Sequence, residues 1–347
     1  MVPTQPLKPL TCYGDWSTNT NTTKGRRCSN MFSSDDYLSW RASSCPGESY
    51  FGTDCCRYRD RDRAERIMRR DFVLHANSSC TRYDPKAFVD LFNNRNVVLI
   101  GDSVFTQLWT SLACDLYHYD DGAVFDVTWQ PIPKEIHCPF EDNNKQCSHA
   151  ERGHVLLPKA NNASLILHHW DWWYKAGSAH KHLSKVKDGD VVIMNIGLHY
   201  NEYASKPATS PDRSDFESGI TSLFNDLSSI HKNLSLFFME TTPQHYGGSN
   251  RANGYYSGND GDDHRCVPLG NMSLFNELDW RNIILRRHVP PHVTIIQVPG
   301  LLSQYDAHFD SDTTTTSNKV DMDCTHWCSQ GSALEYLKLM VFNALAV

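Results

Sequence analysis

The sequence lacks any run of residues long and apolar enough to span a lipid bilayer. Its first ten residues, MVPTQPLKPL, also lack the apolar stretch of a secretory signal peptide. It has no excess of basic charge, because the formal net charge is −7. This balance argues against a general nucleic-acid-binding protein. We therefore expect neither nucleic acid nor a membrane as a partner of this chain.

Cysteine, by contrast, is abundant, with 12 residues, an even number. Five N-x-[ST] sequons accompany them, at Asn21, Asn77, Asn162, Asn233 and Asn271. Disulfide bonds and N-linked glycans both form in oxidising, glycosylating compartments. The combination predicts a disulfide-bonded glycoprotein of the secretory lumen or the cell exterior. We expect the chain to be the lumenal portion of a protein whose targeting segment was cleaved, trimmed or not included.

A zinc site is an alternative use of some cysteines. The segment HCPFEDNNKQCSH (137–149) offers His137, Cys138, Cys147 and His149 within one short loop. It lacks the paired C-x2-C hook that is typical of structural zinc sites. A loop disulfide is therefore favoured, and no metal site is predicted.

The order of apolar and amphipathic segments is typical of an α/β fold. Residues 1–85 are rich in Cys, Asn, Ser, Thr and Arg, and they predict a disulfide-rich N-terminal cap packed on a catalytic domain of residues 86–347. In the second part, short apolar runs such as NVVLI and DVVIMNIG alternate with segments of helical spacing. This alternation predicts a mostly parallel sheet with helices on both faces. Ligands of such sheets bind beyond the carboxyl ends of the strands.

Gly101-Asp102-Ser103 directly follows the predicted strand NVVLI. A serine at a strand-to-helix turn exposes its hydroxyl and its own N–H beyond the edge of the sheet, which suits a nucleophile. The same tripeptide is also ordinary turn and helix N-cap chemistry. By itself, the motif leaves both interpretations open.

A second motif lies near the end of the chain, in VDMDCTHWCSQG (320–331). Asp323 and His326 are three residues apart, so the carboxylate can hold the imidazole Nδ1–H and leave Nε2 to face a serine. Cys324 and Cys328 flank the histidine and could keep this loop rigid. A helix cap or a surface ion pair is the alternative interpretation.

Together, these motifs resemble the SGNH hydrolase superfamily and, more narrowly, the PC-esterase group, in particular the trichome birefringence-like polysaccharide O-acetyltransferases. The resemblance extends from about Cys12 to the predicted C-terminal helix. It rests on the order of four blocks: the cysteine-bearing lead-in formed by WRASSC and FVLHANSSCTRYDPKAFVDLFNNRNVVLIGDS, then DVVIMNIGLHYN, FFMETTPQHYGG and DCTHWCSQG. Two blocks depart from the plant enzymes: VFTQLW replaces a more polar run after the serine, and LHY replaces a His-Trp pair. These departures affect the expected donor and acceptor rather than the triad.

The resemblance implies an SGNH-like three-layer sandwich and a role for each matching residue. Ser103 would be the nucleophile, His326 the general base and acid, and Asp323 the residue that orients the imidazole. The amide of Asn195 would bind the oxyanion beside the Ser103 N–H. The implied reaction moves an acetyl group from a donor to a glycan or polysaccharide hydroxyl through an acetyl-serine intermediate, without a cofactor. The implied location is the Golgi lumen, with secretion as the alternative.

An aromatic segment, LHHWDWWYK (167–175), offers candidate residues for binding a sugar acceptor. Aromatic rings stack on sugar C–H surfaces, although tryptophan is also generally well buried in protein cores. The predicted substrate-binding residues are His168, Trp170, Trp172 and Trp173, with His245 from the third block.

Two other functions stay open at this point. A carbohydrate acetylesterase would use the same triad with water as the acceptor. The two enzyme classes differ in how well the site excludes water and binds a sugar. A glycan-binding module with a dead site is the third possibility, and the intact set of Ser103, Asp323 and His326 argues against it.

Overall fold

The computed structural model describes residues 8–18, 63, 66–67, 70–119, 123–130, 150–169, 178–183, 186–200, 212–230, 233–246, 266–269, 279–310, 322–328 and 331–346. The strands within these ranges are β1 (Gly14–Thr18), β2 (Arg70–Leu74), β3 (Val97–Gly101), β4 (Val124–Gln130), β5 (Ala150–Leu157), β6 (Ala163–His169), β7 (Val191–Met194), β8 (Ser235–Met239), β9 (Val293–Ile296), β10 (His308–Asp310) and β11 (Met322–Trp327). The α-helices are α1 (Pro85–Asp90), α2 (Ser103–Tyr119), α3 (Ser178–Leu183), α4 (Arg213–Ser229), α5 (Trp280–His288) and α6 (Ser332–Leu345).

The central sheet has seven strands in the order β4-β5-β6-β3-β7-β8-β9. The five strands from β6 to β9 in this order are mutually parallel, whereas β4 and β5 form an antiparallel edge. The predicted mostly parallel α/β sheet is confirmed. Because the strands are parallel, their carboxyl ends meet at one edge, where Gly101 at the end of β3 is in register with His169 at the end of β6.

Helices cover the sheet on both faces. This is seen at β3, whose alternate residues pack into two different cores. Val97 and Leu99 pack in a core with residues of α2 and α6. Val98 and Ile100 pack in a second core with residues of α4 and α5. Burial of each such side chain contributes about 1.5–3 kcal/mol, which explains why β3 is a continuous apolar run. Over the ranges given above, no helix combines the length and the apolar character that a membrane crossing requires.

The turn between β3 and α2 explains the Gly-Asp-Ser tripeptide. A Cβ atom on Gly101 would lie 2.6 Å from Cγ of Phe105 and 2.8 Å from the carbonyl oxygen of Asn195, so only glycine fits beneath the helix. Asp102 is buried, and its Oδ1 accepts the backbone N–H of Val104 over 3.0 Å. Asp102 therefore caps α2, and Ser103 becomes the first residue of the helix.

The described parts of the N-terminal segment pack on the α/β core. Strands β1 and β2 form an antiparallel pair, and a disulfide joins Cys12 to Cys80. The Trp16 ring contacts the rings of Phe72 and Tyr336, and its Nε1–H donates to the carbonyl of Gly300 over 2.7 Å. These contacts attach the pair to α6 and the loop after β9. The predicted boundary at residue 85 stays a prediction.

The cysteines within the described ranges are all disulfide-bonded. Two bonds have both partners described, Cys12–Cys80 and Cys266–Cys324. Cys114 and Cys328 are also in disulfides. The prediction that cysteine serves in disulfide bonds is confirmed for these six residues, while the loop 137–149 considered for zinc lies outside the described residues.

Candidate active site

Three side chains from two distant parts of the chain meet beyond the carboxyl edge of the sheet. Ser103 opens α2, directly after the central strand β3. Asp323 and His326 lie on β11, which pairs with β10 and leads to α6. The structure thus brings together the two motifs that the sequence analysis selected.

The three side chains form a hydrogen-bonded relay. Nε2 of His326 lies 2.6 Å from Oγ of Ser103, and Nδ1 of His326 lies 2.5 Å from Oδ2 of Asp323. A carboxylate can only accept, so Nδ1 carries the ring proton and the neutral Nε2 accepts the Ser103 hydroxyl. Side-chain exposures of 27% for His326 and 28% for Asp323 keep the relay within reach of a substrate. This is the geometry of a Ser-His-Asp triad.

Asp323 is held in its ionised form. Its Oδ1 accepts the backbone N–H groups of Thr325 and His326, over 3.0 and 3.1 Å. Burial alone would raise the pKa of Asp323, but these bonds, the bond to the His326 ring and the charge of that ring outweigh burial. The net result is a pKa well below the usual range of an aspartate. The Asp323 carboxylate is therefore ionised near neutral pH.

A buried glutamine connects α2, which begins at Ser103, to β11, which carries His326. Gln107 lies one turn after Ser103 on α2 and is buried. Its Nε2 donates to the carbonyl of Trp327 over 2.7 Å, and its Oε1 accepts the Trp327 N–H over 3.0 Å. Because Trp327 follows His326 directly, this pair of bonds sets the distance between the serine and the imidazole.

Further contacts anchor β11 from its other side. The Cys266–Cys324 disulfide attaches the residue between Asp323 and Thr325 to a neighbouring segment. The backbone N–H of His245 donates to the carbonyl of Cys324 over 3.0 Å, and Nε2 of Gln244 donates to Oγ1 of Thr325 over 2.9 Å. The segment after β8 is thus fastened directly to residues 322–328, which carry Asp323 and His326 and form the catalytic loop.

The predicted oxyanion role of Asn195 stays a prediction, and the structure shows where its amide lies. Asn195 follows β7 and is buried, and its Nδ2 donates to the carbonyls of Met239 and Glu240, each over 3.1 Å. Turning the amide over would place its Oδ1 against those two carbonyls. The N–H groups of Asn195 therefore bind the end of β8. The Ser103 N–H has no acceptor within its helix, and the N-terminal end of α2 favours negative charge.

The predicted substrate-binding role of His245 also stays a prediction, and the structure places its ring in the core. His245 is fully buried, and its ring nitrogens contact Nε2 of His308 and the carbonyl of Leu302. His245 lies in the third block, FFMETTPQHYGG, and its backbone N–H donates to the carbonyl of Cys324 on β11. Its side chain points into the core. His245 supports the catalytic loop from behind.

The aromatic segment is described only in part. His168 is half-buried on β6, in register with Ile100, and keeps its predicted substrate-binding role as a prediction. His169 is the residue in register with Gly101, and its Nδ1 lies 2.6 Å from Oγ1 of Thr106 on α2. It therefore lies beside the nucleophile turn. Trp170, Trp172 and Trp173 fall outside the described residues.

Three of the five predicted glycosylation sites are described. Asn77, Asn162 and Asn233 are exposed. Asn162 and Asn233 come just before β6 and β8, at the amino ends of these strands. They lie at the edge of the sheet opposite Ser103. Asn21 and Asn271 are outside the described residues.

Sequence reasoning missed two residues that support the triad. Gln107 carries a weak signal, because it is a polar residue one helical turn after Ser103, but Thr106 and Thr110 on the same helix are polar as well. His308 carries no local signal: it begins β10, and its Nδ1 lies 3.0 Å from the carbonyl oxygen of His326. Only the pairing of β10 with β11 brings it to the catalytic loop.

Comparison with known proteins agrees with this geometry at the level of the family. Among solved structures, the chain is similar to an ADP-ribosylation factor-like GTP-binding protein (small COPII coat GTPase SAR1) from Encephalitozoon cuniculi in complex with GDP, at 10% identity and a TM-score of 0.26, over 74% of this chain and 86% of that chain. That likeness is too low to carry an argument. Residues 80–333, which span the nucleophile turn and the Asp-x-x-His motif, match the PC-Esterase family model. The chain therefore belongs to the PC-esterase family, the GDSL/SGNH-like acyl-esterase family found in Pmr5 and Cas1p.

Proposed function

We propose that this protein transfers an acetyl group from a donor to a hydroxyl of a glycan or polysaccharide, through an acetyl-Ser103 intermediate. The observation that carries the proposal is the continuous relay from Ser103 through His326 to Asp323. Membership of an acyl-esterase family supports acyl chemistry at this serine. The proposal needs an acetyl donor as co-substrate and no cofactor.

The first half-reaction acetylates the enzyme. Nε2 of His326 takes the hydroxyl proton while Oγ of Ser103 attacks the acetyl carbonyl, and the carbonyl π electrons move to its oxygen. The N-terminal end of α2 stabilises the oxyanion, and one such donor is worth roughly 3–4 kcal/mol in comparable sites. The oxyanion then re-forms the carbonyl, and the donor group leaves with the proton from His326. Asp323 stabilises the imidazolium between the two transfers.

The second half-reaction runs in the opposite direction. The neutral His326 removes a proton from a glycan hydroxyl, and the resulting oxygen attacks the acetyl carbonyl. When the ester bond to the serine breaks, Oγ takes the proton back from His326. The products are an acetylated glycan and the free enzyme.

An esterase is the second candidate, because the matching family is described as one of acyl-esterases. In this case, water replaces the glycan hydroxyl in the second half-reaction. The first half-reaction is the same, so the two functions separate only by the fate of the acetyl group.

The test follows the acetyl group in two steps. Wild-type protein mixed with an activated acetyl ester should gain one acetyl group on Ser103, measured by mass spectrometry, and Ser103→Ala should gain none there. Ser229→Ala, at the exposed end of α4, is the matched control and should behave as the wild type. Adding glycans at increasing concentration should then move the acetyl group from water to glycan. A Ser103→Ala protein that turns over at the wild-type rate would refute the mechanism, while hydrolysis that no glycan changes would favour the esterase.

We also propose that the protein works in the lumen of the secretory pathway, in the Golgi. Support comes from the six disulfide-bonded cysteines and from the exposure of Asn77, Asn162 and Asn233. Microscopy of the tagged protein with compartment markers tests this location.

A further inference from the structure

A pair of buried histidines lies directly behind the catalytic loop. His308 begins β10, His245 follows β8, and both are fully buried. The His308 ring stacks on the Trp327 indole, with centroids 4.0 Å apart and planes 18° apart. His308 contacts the backbone of His326, and His245 contacts His308.

The two rings form one chain of three contacts. Nδ1 of His308 lies 3.0 Å from the carbonyl oxygen of His326. Nε2 of His308 lies 2.6 Å from Nδ1 of His245. Nε2 of His245 lies 3.1 Å from the carbonyl oxygen of Leu302. Both ends of the chain are therefore carbonyl groups, which only accept hydrogen bonds.

The number of available protons limits how these three hydrogen bonds can be arranged. Three contacts need three protons, whereas two neutral imidazoles hold two. Burial lowers the pKa of His308 well below its usual value and that of His245 to about 4, so both rings are neutral near pH 7. The charged groups that influence the pair are Asp306, near His245, and Asp323 and His326, near His308. One of the three contacts consequently lacks a proton.

We propose that His308 is a positioning residue for His326, and that His245 sets the tautomer of His308. In this arrangement, His245 donates from Nδ1 to Nε2 of His308, and His308 donates from Nδ1 to the carbonyl of His326. The contact without a proton is then the longest of the three, at the carbonyl of Leu302. The inference rests on the proposed role of His326 as the general base.

The consequence is mechanical. The His308 bond restrains the carbonyl of His326 on one side, while Gln107 holds the next residue, Trp327, on the other. The imidazole is therefore fixed with its Nε2 toward Ser103. Because a misplacement of 1 Å can cost about 100-fold in rate, loss of this restraint should lower kcat rather than weaken substrate binding.

The first test compares two amides at position 308. In His308→Asn, the amide nitrogen can take the place of Nδ1 and still donate to His326; in His308→Gln, it reaches the place of Nε2 instead. Both variants lose the stacked ring on Trp327, so each controls for packing in the other. We expect His308→Gln to lower kcat about 100-fold with little change in KM, and His308→Asn to retain at least about tenfold more activity. Equal losses in the two variants would overturn the positioning role.

The second test begins with the wild-type protein, so its first result depends neither on activity nor on the folding of a variant. Nitrogen NMR of histidine-labelled wild-type protein reports which ring nitrogen carries each proton. The proposal requires the proton on Nδ1 in both His308 and His245, and a proton on Nε2 of neutral His308 would overturn it. A low-field proton resonance from the His326–Asp323 bond should persist in His308→Asn and be lost in His308→Gln. If Ser103→Ala keeps wild-type turnover, the proposed function fails, while these spectra still decide the tautomers.

Discussion

We expect the bonds between Gln107 and Trp327 to contribute to both stability and catalysis. Replacement of Gln107 by Leu introduces an apolar side chain of similar size and leaves the N–H and the carbonyl of Trp327 without their partner. Each unpaired buried polar group costs about 1–3 kcal/mol, so the variant should lose roughly 2–6 kcal/mol in the free energy of unfolding. Acetylation of Ser103 should slow as well, because the distance between α2 and β11 is no longer fixed.

A second substitution at the same position adds a pH test. A protonated carboxyl can donate one hydrogen bond and accept another, as the Gln107 amide does with Trp327. A carboxylate cannot donate to the Trp327 carbonyl. In Gln107→Glu, the folded-state pKa of the introduced carboxyl is therefore expected above its unfolded value of about 4.3. Both states are protonated below that pH, so the variant should then approach wild-type stability. The deficit should grow as the pH rises above about 4.3 and level off beyond the folded-state pKa.

Urea denaturation, followed by tryptophan fluorescence at several pH values, measures both effects. Thr110→Val is the matched control, because Thr110 lies on the same helix and its hydroxyl donates only to the Thr106 carbonyl, over 2.9 Å. A Gln107→Leu variant within about 0.5 kcal/mol of this control would refute the reasoning. So would a Gln107→Glu variant whose deficit is the same at pH 4 and pH 8.

Three further predictions concern the triad, a disulfide and the glycans. Asp323→Asn should lower kcat by about 10⁴-fold and leave donor binding nearly unchanged, because the imidazole loses its tautomer; steady-state turnover and equilibrium binding of the donor check this, and a loss below tenfold would contradict it. Removing the Cys266–Cys324 bond by a double Cys→Ser substitution should destabilise the fold by about 2–5 kcal/mol and slow Ser103 acetylation, measured by urea denaturation and mass spectrometry; unchanged acetylation would contradict the anchoring role. Asn162→Gln and Asn233→Gln should each remove one glycan from the secreted protein without lowering its turnover, because both sites lie opposite the active edge; an unchanged mass would show that the site is unused.

The parts of the site that the sequence predicts are those built by local chemistry. An apolar run followed by Gly101, Asp102 and Ser103 encodes a buried strand, a tight turn and a capped helix within a few residues. Asp323 and His326 are three residues apart, so local backbone geometry is enough to bring the carboxylate to the imidazole. The alternation of apolar runs and amphipathic segments likewise predicts the sheet and its two helical layers.

The parts that it could not predict depend on which elements become neighbours. Gln107 and Trp327 are 220 residues apart, and nothing in either segment indicates the other. The same limit applies to the surroundings of Asn195 and His245. Asn195 does lie at a strand end, but the end of β8 takes its amide, and His245 turns into the core because its backbone is bonded to β11.

The distance along the chain between the nucleophile and its base also has a consequence for biosynthesis. Ser103 and His326 are 223 residues apart, and the ribosome makes the serine first. Until β11 has been synthesised and has docked beside α2, the serine hydroxyl lacks the His326 imidazole and is a poor nucleophile. We therefore expect the growing chain to react slowly with acyl donors before this docking. Reactivity at Ser103 would then report that β11 has reached its place beside α2.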